Sequence, residues 1–181
     1  MSGWWRRNRW PLVALVPTIA LALTVTTYDH YRAYWDTAPR TPVAAASDGW
    51  VSFANARIRL DDLADETKLT NDLGVQVHPP AGMAVWSAKI SFQSTDPEPL
   101  YSCDLTLHDT TGQTYADNPA ELTDLGINFD FASCGPDTSS GKTPTTWSTT
   151  AYFVAPASAR PDGIRMTVLG KLPRYAWLTA R

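Results

Sequence analysis

The chain has 181 residues, which suits one folded domain plus an appendage. Charge is unevenly spread. Arg6, Arg7 and Arg9 stand among the first nine residues with no acid, whereas from Ala46 onward there are sixteen Asp or Glu against ten Lys or Arg, a balance of −6. An acidic domain repels phosphate, which argues against DNA, RNA or an anionic lipid surface as its partner.

Trp10 to Tyr28 is a run of nineteen uncharged residues, eight of them Leu, Val or Ile. As a helix it reaches roughly 28 Å, close to the hydrocarbon thickness of a bilayer. Pro11 falls at the expected helix start, where its missing N–H is harmless, and Pro17 is expected to kink the helix. Trp4, Trp5 and Trp10 precede the span, and Tyr28, Tyr31, Tyr34 and Trp35 follow it, as two interfacial aromatic belts do. The excess of Arg before the span places residues 1–9 in the cytoplasm and the C-terminal part outside. Arg6, Arg7, Arg9, Trp10 and Tyr28 are thus the expected anchor residues, with membrane lipid as the partner of residues 10–28. Two other readings compete. A cleaved signal peptide would use Ala44-Ala45-Ala46, which lies far beyond the apolar run. A buried core helix would need partner elements.

Residues 29–47 are aromatic, then rich in Pro and Ala, and predict a poorly ordered juxtamembrane linker. Residues 48–181 predict an extracytoplasmic β-domain. Trp50–Leu60 reads as one strand. Residues 61–82 are irregular, with one possible helical turn over Asp61–Glu66 and a turn at His78–Gly82. Trp86, Ala88, Ile90 and Phe92 alternate with polar residues, which is the signature of a half-buried strand. After a break at Asp96-Pro97-Glu98-Pro99, Tyr101, Cys103, Leu105 and Leu107 face in. Asp109–Gly112 is a turn before a short strand at Gln113–Ala116. Residues 117–124 read as loop. Ile127, Phe129 and Phe131 alternate again, and 133–145 forms an exposed loop. Trp147–Ala155, Ile164–Val168 and Tyr175–Thr179 complete about seven strands, an antiparallel β-sandwich.

Cys103 and Cys134 are the chain's two cysteines. In an oxidising compartment they are expected to form a structural disulfide, since their spacing is not that of a Cys-x-x-Cys redox pair. His30, His78 and His108 match no zinc pattern, and His108 alternates onto the wet face. Asp61, Asp62, Asp65, Glu66 and Asp72 do not have the spacing of a calcium loop. Asp104 and Asp109 could be imagined as a catalytic pair, but nothing marks them out from turn and edge residues. Gly141-Lys142-Thr143 lacks the upstream Gly of a phosphate loop, and no nucleophile elbow is present. The expectation is therefore no catalytic residue, no metal and no cofactor. Trp50, Trp86, Trp147 and Trp177 fall in expected strands and suit core packing better than a glycan-binding stripe.

Three segments carry a family resemblance. They are Ala84–Phe92, Leu105–Tyr115 with its strand-Asp-Gly-aromatic order, and Tyr152–Pro156 followed by Ile164–Val168. Residues 84–170 resemble the DUF4352-type (telokin-like) immunoglobulin-like domain of exported bacterial proteins. The family's usual Asn-x-Gly after the first strand is replaced by Asp96-Pro97-Glu98-Pro99, and the N-terminal third is not covered. The resemblance implies a sandwich on an envelope anchor without enzyme activity, and it assigns no functional residue. The fold class expected is thus all-β: an immunoglobulin-like antiparallel β-sandwich preceded by one N-terminal transmembrane helix. The function expected is a non-enzymatic protein-interaction module with another envelope protein as partner. Binding of a small ligand or cell-wall glycan is the alternative.

Overall fold

The computed structural model describes residues 2–71, 73–117, 119–124, 134–139 and 141–179, with the backbone alone at positions 2 and 5. The chain divides into two compact units, Met1–Ala38 and Pro39–Arg181.

The first unit is one helix, α1 (Ser2–Thr37). It is long and apolar enough to cross a membrane, a property that a signal sequence shares. Arg6, Arg7, Arg9, Trp10 and Tyr28 all lie on it with exposed side chains. The hydroxyls of Thr18, Thr24 and Thr26 donate to the carbonyls of Ala14, Ala20 and Ala22 at 2.7, 2.7 and 3.0 Å. Each of these polar groups is thereby satisfied within the helix, as an apolar surround demands. The helix extends beyond the expected 10–28 in both directions, so Pro11 is interior like Pro17. Two parts of the expected linker at 29–47 are regular structure. Residues 29–37 are the last turns of α1, where pairs four apart support the helix: Arg32 with Asp36 at 3.6 Å, and the Tyr31 and Trp35 rings at 5.5 Å.

In the second unit, β1 (Thr41–Val43) takes three more residues of that linker into the sheet. β2 (Val51–Phe53) and β3 (Ala56–Asp65) replace the single strand expected at 50–60. Ala54 and Asn55 form the two-residue turn between them, both in the left-handed region at φ 49° and 62°. No Gly or Pro marks this turn in the sequence. β3 runs on through the acidic residues to Asp65, with a bulge between Leu60 and Asp62, where one helical turn was expected. β4 (Leu69–Thr70) and β5 (Gln76–Val77) form a small hairpin. Then come β6 (Met83–Gln93), a 3-10 turn at Glu98–Ser102, β7 (Cys103–Asp109) and β8 (Thr114–Ala116). A short helix α2 (Ala120–Asp124) occupies the expected loop, and β9 (Thr146–Pro156), β10 (Pro161–Val168) and β11 (Arg174–Leu178) complete the fold. The strand expected around Ile127, Phe129 and Phe131 lies outside the described residues, as does Asp72.

One sheet has the order β1-β11-β10-β7-β8 and the other β2-β3-β6-β9. All pairs are antiparallel except β1 with β11, where Thr41–Val43 pair in parallel with Arg174–Ala176. The unit is a β-sandwich, while the chain as a whole is not all-β, because α1 is a substantial helix. Ile58, Leu60, Ile90 and Phe92 from one sheet meet Leu105, Leu107, Ile164, Met166 and Leu178 from the other, all nearly or wholly buried. Each such side chain contributes roughly 1.5–3 kcal/mol relative to exposure. A second cluster of Leu69, Val85, Leu122 and Val154 lies on the outer face of β6 and β9. Val85 and Val154 pair across the strands, and β4 and α2 bring Leu69 and Leu122 over them.

The four Trp residues divide. Trp86 and Trp147 pack against the main core, and Trp147 stacks on Phe92 at 5.5 Å between centroids. Trp50 and Trp177 do not, which corrects the expectation of core packing. Strand parity is the reason: Val51 points inward, so Trp50 points out, and Ala176 and Leu178 point inward, so Trp177 between them points out.

Candidate functional site

Cys103 and Cys134 are joined in a disulfide with Cα atoms 6.1 Å apart. The bond ties the start of β7 to the segment before β9. Its loop of 31 residues implies roughly 3–4 kcal/mol of stabilisation in the chain-entropy model. Trp147 Nε1 donates to the Cys134 carbonyl at 3.0 Å and fixes the same corner.

The other expected residues do not converge. Asp104 and Asp109 have opposite parity on β7, so they lie on opposite faces of the sheet. Asp109 is committed to its turn. One carboxylate oxygen accepts from Thr111 N, Thr111 Oγ1 and Gln113 N at 2.9, 2.7 and 2.9 Å, and the other accepts from Tyr115 Oη at 3.0 Å. The Thr111 hydroxyl does most to hold that carboxyl below the usual carboxylate range. Asp117 is displaced upward, by burial first and then by the Asp104 charge. Within the acidic segment, Asp61 accepts from Ser91 Oγ and from Arg59 Nε, and Glu66 accepts from Ser87 Oγ at 2.6 Å. Among the described residues, no three His, Cys, Asp or Glu gather as a metal site would require.

His108 is half-buried rather than a free surface group. It stands edge-on to Trp177 at 5.2 Å. Burial, then Arg165, holds its imidazole below the ordinary value. Gly163 pairs with His108 in register, and Arg165 pairs with Trp177. These residues form the outer face of the five-stranded sheet.

A concave feature of the sandwich lies at the end where β3 and β9 begin and β10 finishes. It is a groove of about 850 Å³. Three segments build one wall and are tied together. Ser94 Oγ donates to the Asn55 carbonyl at 2.9 Å, Ser94 N donates to Thr145 O at 2.9 Å, and Asp96 N donates to Ser94 Oγ at 3.0 Å. Asn55 Nδ2 donates to Asp96 Oδ2 at 3.1 Å. Phe53, Ala54, Ala56 and Ser94 are the buried part of the lining. The opposite wall is the β10–β11 turn with Lys171 and Arg174, closed by N–H donation from Lys171 to Val168 O and from Arg174 to Lys171 O. Chain entry reinforces this wall, since Arg40 N and Thr41 N donate to Pro173 O at 2.8 and 3.1 Å.

Charge in the groove is uneven. Arg57 lies 2.6 Å from Asp48 and, together with Arg59, over the Trp50 ring at 5.1 and 4.7 Å. Lys171 and Arg174 have no ion pair among the described residues. Hydroxyls and an amide, from Ser52, Gln93, Thr95, Thr145 and Thr146, complete the lining. None of these residues stood out in the sequence. They come from four separate segments, and each alone reads as a surface polar residue.

No family model matches the chain, and no curated protein matches it. Two solved structures are similar to it. A conserved hypothetical protein from Bacillus anthracis is 10% identical, with a TM-score of 0.43, over 70% of this chain and 91% of that one. An uncharacterized beta-sandwich protein from Clostridium difficile 630 is 9% identical, with a TM-score of 0.44, over 81% of this chain and 97% of that one.

Proposed function

We propose that the chain is an envelope binding domain: an immunoglobulin-like sandwich of the DUF4352 type, anchored by α1 with its N-terminus in the cytoplasm, that holds a ligand in its groove without transforming it. The groove carries this reading. It is concave, its walls are fixed by hydrogen bonds, and its lining includes hydroxyl, amide and cationic groups. Its one buried hydroxyl, Ser94, is committed to the framework. The disulfide supports an oxidising compartment. The protein-interaction reading draws its own support from the outer face at His108, Arg165 and Trp177, where an aromatic ring and a cation lie side by side.

Photo-crosslinking in intact cells separates these readings. A crosslinker at Thr95, in the groove, should give discrete adducts in the carbonate-resistant membrane fraction. One at Ser158, in the β9–β10 turn at the far end of the strands, should give none. Adducts from Thr106 on the outer face, with none from Thr95, would favour the protein-contact reading. Equal labelling at all three positions, or none, would defeat both.

A further inference from the structure

We infer that the groove recognises an oxyanion carried on a short polyhydroxylated chain, that is, an acidic sugar or a polyol phosphate. The inference rests on the binding reading above and names its ligand class.

Charge comes first. Arg57 is neutralised by Asp48, and Asp96 is held by Asn55. That leaves Lys171 and Arg174 as two cations at one turn with no ion pair among the described residues, both lining the same cavity. They stand against a domain balance of −6. The balance matters for the size of the ligand. A long polyanion meets repulsion over the whole surface, whereas at 0.1 M salt charges beyond about 10 Å are screened and the local pair dominates for a short anion. The remaining lining sets the carrier. Thr95, Thr145, Thr146 and Gln93 offer donors and acceptors together, which is what sugar or polyol hydroxyls require. The one aromatic ring of the lining, Phe53, is buried, so no platform exists for stacking a base. The volume lies within the range of about 300–1,000 Å³ for small-ligand sites. The Ser94, Asn55 and Asp96 bonds hold the wall in place beforehand, which lowers the ordering cost of binding.

Calorimetry on the full chain in a non-ionic detergent at 0.1 M salt tests this with three probes: tri-galacturonate, sn-glycerol 3-phosphate and neutral maltotriose. At least one anionic probe should bind at least about tenfold more tightly than maltotriose. Whichever anion binds more tightly identifies the carboxylate or the phosphate form. Lys171→Gln with Arg174→Gln should weaken that binding about tenfold and leave the melting temperature unchanged, because both side chains are exposed and neither has an ion pair among the described residues. Thr146→Trp should abolish binding by filling the groove from the exposed start of β9. The inference fails if maltotriose binds as well as the anions, if no probe binds, or if the double variant keeps wild-type affinity. Groove-specific crosslinks that persist alongside such a failure would remove only the ligand class. Their loss would remove the binding reading itself.

Discussion

At Gly163 two strands approach more closely than any side chain allows. A Cβ there would lie 2.6 Å from the Leu178 carbonyl oxygen and 3.0 Å from the Trp177 ring. The carbonyl belongs to the backbone of β11 and cannot swing away, so Gly163→Ala must part the β10–β11 ladder or displace the indole. The expected loss is about 1–2 kcal/mol, the strain of overpacking less the small gain from a stiffer unfolded chain. A urea midpoint reads it, and an unchanged midpoint would show that the ladder gives way freely. Asp109 is the other residue on which local structure turns. Its carboxyl is held below the ordinary range in the folded state, chiefly by the Thr111 hydroxyl. The stability it confers is therefore complete well above the unfolded value of about 3.9 and fades as pH falls through that value toward the lower folded one. Asp109→Asn should lower the urea midpoint at pH 7, and its difference from the wild type should shrink as pH falls below the unfolded value of about 3.9. A constant difference across that range would show that the charge contributes nothing.

The strands most legible in the sequence were those with strict alternation and one wet face. Ile90 and Phe92 on β6, Leu105 and Leu107 on β7, and Ile164, Met166 and Val168 on β10 are all buried as their parity requires. Where a second layer covers the outer face, alternation fails. Val85 and Val154 sit at outward positions yet are buried beneath Leu69 and Leu122, and no local pattern announces that cover. The β2–β3 turn was missed for a related reason, since Ala54 adopts a left-handed conformation that its type disfavours and only the surrounding bonds to Asn55 sustain. The groove was illegible because its residues meet only after the two sheets have formed. The cysteines were legible because an isolated pair has one possible partner each. Cys103→Ala with Cys134→Ala should cost roughly 3–4 kcal/mol and lower the melting temperature by about 10 °C. A loss under about 1 kcal/mol would mean that the unfolded chain is already compact around this loop.

For the molecule as a whole, the boundary of the β-sandwich domain is a structural question with a thermodynamic answer. Composition alone places the start at Asp48, because Ala38-Pro39-Arg40-Thr41-Pro42 looks like a tether. Yet Thr41–Val43 add a parallel edge strand to β11, Pro173 accepts the Arg40 and Thr41 N–H groups, and Val43 packs against the main core. Pro42 is tolerated because β1 is an edge strand, where a missing donor leaves no ladder partner bereft. β1 also covers the edge of β11, which would otherwise present unpaired backbone groups to other chains. A version beginning at Pro39 should therefore be more stable than one beginning at Asp48 by about 1–2 kcal/mol, mostly from Val43. That difference is roughly 5 °C in melting temperature for a domain of this size. The shorter version should also self-associate more, through the bared β11 edge, which light scattering at matched concentration would detect. Equal melting temperatures and equal scattering would return residues 39–47 to the status of a tether. The pole that carries Lys171 and Arg174 would then be formed without any contribution from the chain that leads into it.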